Sequence, residues 1–271
     1  MTFADLLRVT PGTSPDLGAV DPRSTPGSDG DKDVAGARLK ALRDELASFQ
    51  GRLWAEKRQA LLIVLQALDA GGKDGLIRNV VTAFNPQGTR VTGFGVPTEE
   101  ELHHDYLWRI HAATPGKGRI GIFNRSHYED VLVVRVNELV PESVWSQRYE
   151  QINAFEAHLA ANGTRIVKFF LHISRSEQRE RFLKRLADPE KHWKWSSGDL
   201  DARAKWDEFQ VAYADALARC STAAAPWFVI PADRKWYRDL AVAEILAETA
   251  ASMDPQWPDV DEDLSTIVVP E

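Results

Sequence analysis

One stretch in the first third of the chain constrains the fold most. Leu61-Leu62-Ile63-Val64-Leu65 is an apolar run, and Gln66-Ala67-Leu68-Asp69-Ala70-Gly71-Gly72 leads from it through a short glycine-containing loop. Lys73 follows at once and opens the helical pattern Lys73-Asp74-Gly75-Leu76-Ile77-Arg78-Asn79-Val80-Val81. A buried strand, a tight loop and a helix in that order form the layout of a phosphate-cradling P-loop. Gly71 and Gly72 let the backbone turn with its N–H groups toward an anion. The helix N-terminus faces the same anion, and Lys73 adds a point charge. The match to G-x-x-x-x-G-K-[ST] is incomplete. Ala67 stands where the first Gly would be, and Asp74 replaces the Ser or Thr that usually holds Mg2+. Asp69 is the candidate for that metal role, because a carboxylate suits a hard cation. An ordinary glycine-rich turn fits the same spacing.

The rest of the pattern alternates in the same way. Apolar, strand-like runs fall at 60–65, 89–94, 119–123, 165–173 and 226–230. Helical stretches fall at about 33–57, 74–84, 99–113, 126–136, 142–161, 175–187, 201–222 and 234–252. Strands alternating with helices predict an α/β fold with a five-stranded parallel sheet covered on both faces. Functional loops are then expected at the carboxyl ends of the strands. Residues 1–33, rich in Pro, Gly, Asp and Ser from 10 onward, read as an extended, loosely ordered arm. Residues 34–252 read as one domain, and 253–271 as an acidic surface tail.

Composition excludes several classes. A hydrophobic share of 44% with 27% charged residues is that of an ordinary globular chain. No run is long enough to span a bilayer, and residues 1–20 lack a basic start followed by an apolar core. A cytoplasmic protein is expected. Cys220 is the single cysteine, so no internal disulfide can form. A net charge of −7 argues against general nucleic-acid binding. That charge is uneven: residues 165–195 hold nine Lys/Arg and four acids, leaving +5 there and −12 elsewhere. A local basic patch on an acidic chain points to a specific anionic ligand.

Two further constellations bear on that ligand. The third strand runs into Asn124-Arg125-Ser126-His127-Tyr128-Glu129-Asp130, placing polar groups where the strand opens. Arg125 is placed to reach a phosphate. Asn124 occupies a position where an acid often assists Mg2+. Glu129 and Asp130 are candidates for the acceptor side, and also fit simple complementarity to a helix dipole. The second constellation is a helix carrying Arg175, Arg179, Arg181, Lys184 and Arg185, ended by Asp188-Pro189, then Lys191-His192-Trp193-Lys194-Trp195. Part of this charge is consumed by the i,i+4 pairs Glu177–Arg181 and Glu180–Lys184. The remainder predicts a mobile, Arg-rich lid at about 175–203 over a phosphate site.

Taken together, these motifs resemble the family-2 polyphosphate kinases from about Leu39 to Ala250. The carriers are 67–75, 123–130, Arg181-Phe182 with Arg185, Asp188-Pro189, Trp193-Lys194, Asp199 and 225–233. The resemblance implies a P-loop kinase-like, three-layer α/β/α fold with a helical lid. It implies Mg2+-dependent phosphoryl transfer between inorganic polyphosphate and a nucleotide, with Mn2+ as a substitute ion. Asp69, Lys73, Arg125, Arg181 and Arg185 would be catalytic. Gly71, Gly72, Asp74, Gly75, Arg78 and Lys194 would bind phosphate, and Asn124, Glu129 and Asp130 the acceptor. Many members have Asp-Arg-Ser-Trp-Tyr-Asn-Arg in the second motif. The departure seen here is similar to the branch that phosphorylates both AMP and ADP, giving ADP and ATP. It leans the metal role on Asp69 and makes Glu129 a candidate for acceptor discrimination. A homo-oligomer, dimer or tetramer, is also implied, with no nucleic-acid or membrane partner. An ATP-dependent nucleotide kinase and a non-catalytic polyphosphate- or nucleotide-binding scaffold are the alternatives.

Overall fold

The computed structural model describes residues 1–270. Five parallel strands form its sheet: β1 (Ala60–Gln66), β2 (Thr89–Gly93), β3 (Ile120–Asn124), β4 (Thr164–His172) and β5 (Trp227–Pro231). Their order is β2-β3-β1-β4-β5. β1 is buried along its whole length, as the unbroken apolar run requires of a strand covered on both faces. β2 lies at an edge and is correspondingly more exposed. Each strand lies within a residue of the expected position.

The order places a topological switch at β1. The chain leaves β1 to build β2 and β3 on one side, then crosses to build β4 and β5 on the other. Leu65 is in register with Asn124 on one side and with Phe169 on the other. The loop after β1 therefore opens into the crevice where such sheets bind ligands.

Six helices do most of the covering: α1 (Lys32–Glu56), α2 (Lys73–Asn79), α3 (Arg148–Ala161), α4 (Arg175–Leu186), α5 (Trp206–Cys220) and α6 (Lys235–Met253). Asp31 caps α1 by accepting from the amides of Asp33 and Val34. The buried residues Leu42, Leu46, Phe49 and Leu53 form its inner stripe, which lies against α6. Several stretches read as continuous helix are broken. α2 stops at Asn79, where the β-branched run Val80-Val81-Thr82 follows, and a 3-10 turn continues at Val81–Ala83. The stretch 126–136 is a 3-10 turn (His127–Asp130) and a short helix (Val133–Val136). No helix among the described residues is long and apolar enough to cross a membrane.

Residues 1–31 are not loose, as their composition suggested. The Val9 amide donates to the Trp227 carbonyl (2.9 Å), and Ser221 Oγ donates to the Val9 carbonyl (2.7 Å). Further along, Asp233 N donates to the Pro22 carbonyl and Tyr237 OH to that of Pro26. Ala4, Leu7, Val9 and Leu17 are buried in the core. The arm closes the free edge of β5, which would otherwise present unpaired backbone groups.

Removing residues 1–20 uncovers that edge and those side chains. A large apolar side chain contributes about 1.5–3 kcal/mol when buried, so the truncated chain should melt on the order of 10 °C lower. Thermal unfolding followed by circular dichroism checks this; an unchanged Tm would show that the arm adds no stability.

Candidate active site

The loop from Ala67 to Gly72 turns tightly. The Gly71 amide donates back to the Leu68 carbonyl at 2.9 Å. Ala70 (φ 59°) and Gly72 (φ 104°) adopt the left-handed region. A Cβ on Gly72 would lie 2.2 Å from Arg238 Nη1, so only glycine fits there. Among the described residues, the amides of Ala70, Gly72, Lys73 and Asp74 donate no hydrogen bond within the chain. Four unpaired N–H groups on one turn form an anion cradle.

Three of the loop's carbonyls are held by other elements. Gln178 Nε2 on α4 donates to the Asp69 carbonyl (3.0 Å), and Arg181 Nη1 to that of Ala70 (2.9 Å). Arg238 Nη1 on α6 donates to the Gly72 carbonyl at 3.1 Å. Arg238 is only 1% exposed. Its charge is balanced by Asp239, which also accepts from Asn79 Nδ2 (2.7 Å).

Lys73 is buried, and its Nζ donates to the Ala67 carbonyl at 2.7 Å. Burial lowers its pKa, against the pull of Asp69. An ammonium has three N–H bonds, so two remain for a phosphate. Arg125, in the left-handed region at φ 63°, donates its amide to the Leu65 carbonyl and Nη2 to Asp69 Oδ1 at 2.6 Å. Burial works against its charge, but the carboxylates of Asp69 and Glu129 outweigh this and raise its pKa. Glu129 accepts from Gln66 Nε2 at 3.2 Å, and burial pushes its carboxyl up.

The segment that follows α4 also reaches this loop. Lys194 Nζ donates to Asp74 Oδ2 at 2.6 Å and holds that carboxyl below its usual range. Asn124 Nδ2 reaches the other Asp74 oxygen at 3.3 Å. Arg185 Nη1 pairs with Asp199 Oδ2 at 2.6 Å.

The structure therefore brings together Asp69, Lys73, Asp74, Asn124, Arg125, Glu129, Arg185 and Lys194, with Gly71, Gly72 and Gly75 in the loop. Three further expected site residues have other contacts. Arg181 is not free as a finger: its nitrogens bind Glu177 and the carbonyls of Ala70, Ala232 and Asp233, so it braces the loop. Asp130 is drawn away from Glu129 by Arg148, at 2.9 Å. Arg78 is exposed in the last turn of α2, and its side chain bonds to no site residue. Arg238 and Gln178 were not singled out in the sequence. The available signal was an Arg-Asp pair interrupting the apolar run of α6, since such charges are seldom buried unless paired.

A parallel sheet with an anion cradle at its switch point and a cationic lid defines a P-loop phosphotransferase architecture. The polyphosphate kinase 2 family model matches residues 29–258. An AMP/ADP-polyphosphate phosphotransferase of Meiothermus ruber is 51% identical over 97% of this chain and 98% of its own length. An ADP-polyphosphate phosphotransferase of Rhodopseudomonas palustris is 46% identical over 82% of this chain and 81% of its own length. The crystal structure of polyphosphate kinase 2 from Arthrobacter aurescens TC1 superimposes with a TM-score of 0.94 at 45% identity, over 98% of this chain and 94% of that one. The chain belongs to the polyphosphate kinase 2 family, enzymes that transfer phosphate between polyphosphate and nucleotides.

Two outcomes follow from the geometry. Gly72→Ala forces a strained backbone and displaces Arg238, so kcat should fall by roughly 100-fold with the circular dichroism spectrum unchanged. Wild-type turnover would mean the loop's shape is not set by this contact. The second concerns Asp130, whose carboxyl is pushed up to about 6 by burial, against the pull of Arg148 and Arg109. The folded chain keeps this proton where the unfolded chain, at 3.8, has released it. The group's contribution to stability therefore falls as pH rises through that window. Asp130→Asn has no proton to release, so it should gain up to about 3 kcal/mol relative to wild type between about pH 4 and pH 7. Urea unfolding at both pH values measures the change, and an identical gap at each would refute the shift.

Proposed function

We propose that this chain transfers the terminal phosphoryl group of inorganic polyphosphate to AMP and ADP, giving ADP and ATP. The observation that carries this reading is the cradle of four free amides ringed by Lys73, Arg125, Arg185 and Lys194. The names of the Meiothermus ruber and Rhodopseudomonas palustris relatives, phosphotransferases of polyphosphate with AMP/ADP and with ADP, support the donor and the acceptors.

The chemistry asks little covalent work of the protein. A nucleotide phosphate oxygen, already ionised, attacks the terminal phosphorus in line; one P–O bond forms as the bond to the rest of the polymer breaks. No base is needed to remove a proton. Positioning and charge neutralisation carry the rate. The loop amides and Lys73 hold the phosphates around the transfer point. Arg125 stands between Asp69 and Glu129, facing the developing charge. Lys194 and Arg185 exchange their carboxylate partners for polymer oxygens. Asn124 and Glu129 line the acceptor side, where Glu129 is the candidate for discriminating AMP from ADP.

A divalent cation fits beside Asp69. Its Oδ2 has no hydrogen-bond donor among the described residues, while Oδ1 takes Arg125. There is no cluster of three His, Cys, Asp or Glu side chains among the described residues. One or two carboxylates together with substrate phosphates are enough to hold Mg2+. Bound there, the ion would screen the phosphate charges.

Purified protein incubated with Mg2+, polyphosphate and either AMP or ADP tests the proposal by nucleotide analysis. ADP and ATP from the AMP sample, dependent on polyphosphate, support it. Product only with ATP as donor would reassign the chain to the nucleotide kinases. Lys73→Ala should lower kcat by on the order of 100-fold or more with the fold retained; near-wild-type turnover would remove Lys73 from the site.

A further inference from the structure

Beneath the site lies a charged cluster that the transfer chemistry does not touch. Lys168, in the middle of β4, is fully buried, as are His127, Tyr128 and Glu156. Lys168 Nζ donates to Tyr128 OH (2.7 Å), Glu156 Oε2 (2.5 Å) and the Cys220 carbonyl (2.7 Å), which uses all three of its N–H bonds. Glu156 Oε1 accepts from Tyr128 OH (2.9 Å) and pairs with His127 Nε2 (3.2 Å). Burial keeps His127 neutral. The Nε2–H tautomer satisfies Glu156 and leaves Nδ1 as the unpartnered acceptor it is in the structure.

We propose that this cluster is a positioning device for the turn after β3, and that through it Glu156, Lys168 and Tyr128 set Arg125 and Glu129 in the active site. The proposal rests on the placement of Arg125 and Glu129 in that site. His127 and Tyr128 are adjacent in one turn, and both point into the core cluster. Their flanking neighbours point the other way: Arg125 to Asp69, and Glu129 to Gln66. α3 grips the same turn twice. Arg148 holds Asp130 and, eight residues on along the same helix face, Glu156 holds His127 and Tyr128.

Stability alone does not account for the cluster. A buried ion pair is often replaceable by apolar side chains without loss, and the neighbouring positions in β4, Val167 and Phe169, are apolar and buried. Apolar contact is non-directional, whereas hydrogen bonds fix angles as well as distances. Arg125 is a non-glycine residue at φ 63°, a conformation that persists only where its surroundings over-determine it. The cluster supplies that constraint two residues away, at His127, with Ser126 Oγ accepting from the Tyr128 amide to close the turn.

The test uses the full-length chain. The double variant Glu156→Leu with Lys168→Met removes both charges at similar volume. It should melt near or above the wild-type temperature while kcat falls about tenfold or more and KM for polyphosphate changes less than about threefold. Tyr128→Phe removes the one hydroxyl shared by both charges and should shift kcat in the same direction. If the double variant does not fold, Tyr128→Phe decides. A folded variant with kcat within about twofold of wild type, or a loss confined to KM, overturns the proposal. Arg125→Ala, measured alongside, separates the two levels. If it is fully active, the site reading falls and the proposal with it. If it is inactive while the cluster variants are active, only the positioning role falls.

Discussion

The grip on the outer carbonyls of the loop after β1 is the constraint on which the site depends. A P-loop works only if its amides face inward, and an amide faces inward only if its carbonyl neighbours are satisfied elsewhere. Gln178, Arg181 and Arg238 supply that satisfaction from α4 and α6. Two of these three donors are cations, so the loop sits in a positive surround even before Lys73 is counted. The same contacts tie the lid helix α4 to the loop. α4 and the loop are therefore joined directly by hydrogen bonds.

The cations divide by what they hold. Arg181 and Arg238 are spent on carbonyls and cannot leave without collapsing the loop. Arg125, Arg185 and Lys194 are spent on carboxylates: Asp69, Asp199 and Asp74. The proposed function has these pairs exchanged for phosphate oxygens. The Lys194–Asp74 pair is the easiest to break, because the Asp74 side chain is 58% exposed and such pairs contribute little net free energy. The Arg125–Asp69 pair is closer to the transfer point and less exposed on its acidic side. The Arg185–Asp199 pair is the most buried of the three, so exposure does not simply fall from the segment after α4 toward the loop.

Much of this was legible from residue order. Each strand shows as an apolar run, and the loop shows because glycine and lysine follow one of them directly. The NRSHYED segment also announced itself, since polar residues at a strand's carboxyl end have little structural reason to be there. What the sequence hides is direction. Arg181 and Arg185 are four apart on one helix face, so periodicity treats them alike; the loop after β1 gives Arg181 the Ala70 carbonyl, and the chain's return through 232–233 gives it two more. Arg238 is invisible for the same reason, because its partner Gly72 lies 166 residues away. The arm at 1–31 has the composition of a loose segment, and β5's free edge orders it.

Charge counting shows where such reading stops. The segment 165–195 carries a net +5, which reads as a broad basic surface for a polyanion. In the fold, Lys168 is neutralised inside the core by Glu156, and Arg181 serves backbone carbonyls. Lys184 and Lys191 pair with Glu180 and Asp188 on the outer surface. Of the nine cations, Arg165, Arg175 and Arg179 stay exposed with no side-chain partner among the described residues, and Arg185 and Lys194 are the two held beside the cradle. A diffuse basic face would bind a polymer anywhere along its length. Cations held beside one loop favour placing a phosphorus atom where an acceptor can reach it, in keeping with the phosphotransferase family to which the chain belongs. Net charge predicts the ligand's sign; only the distribution of partners predicts that it will be held at one place and cut.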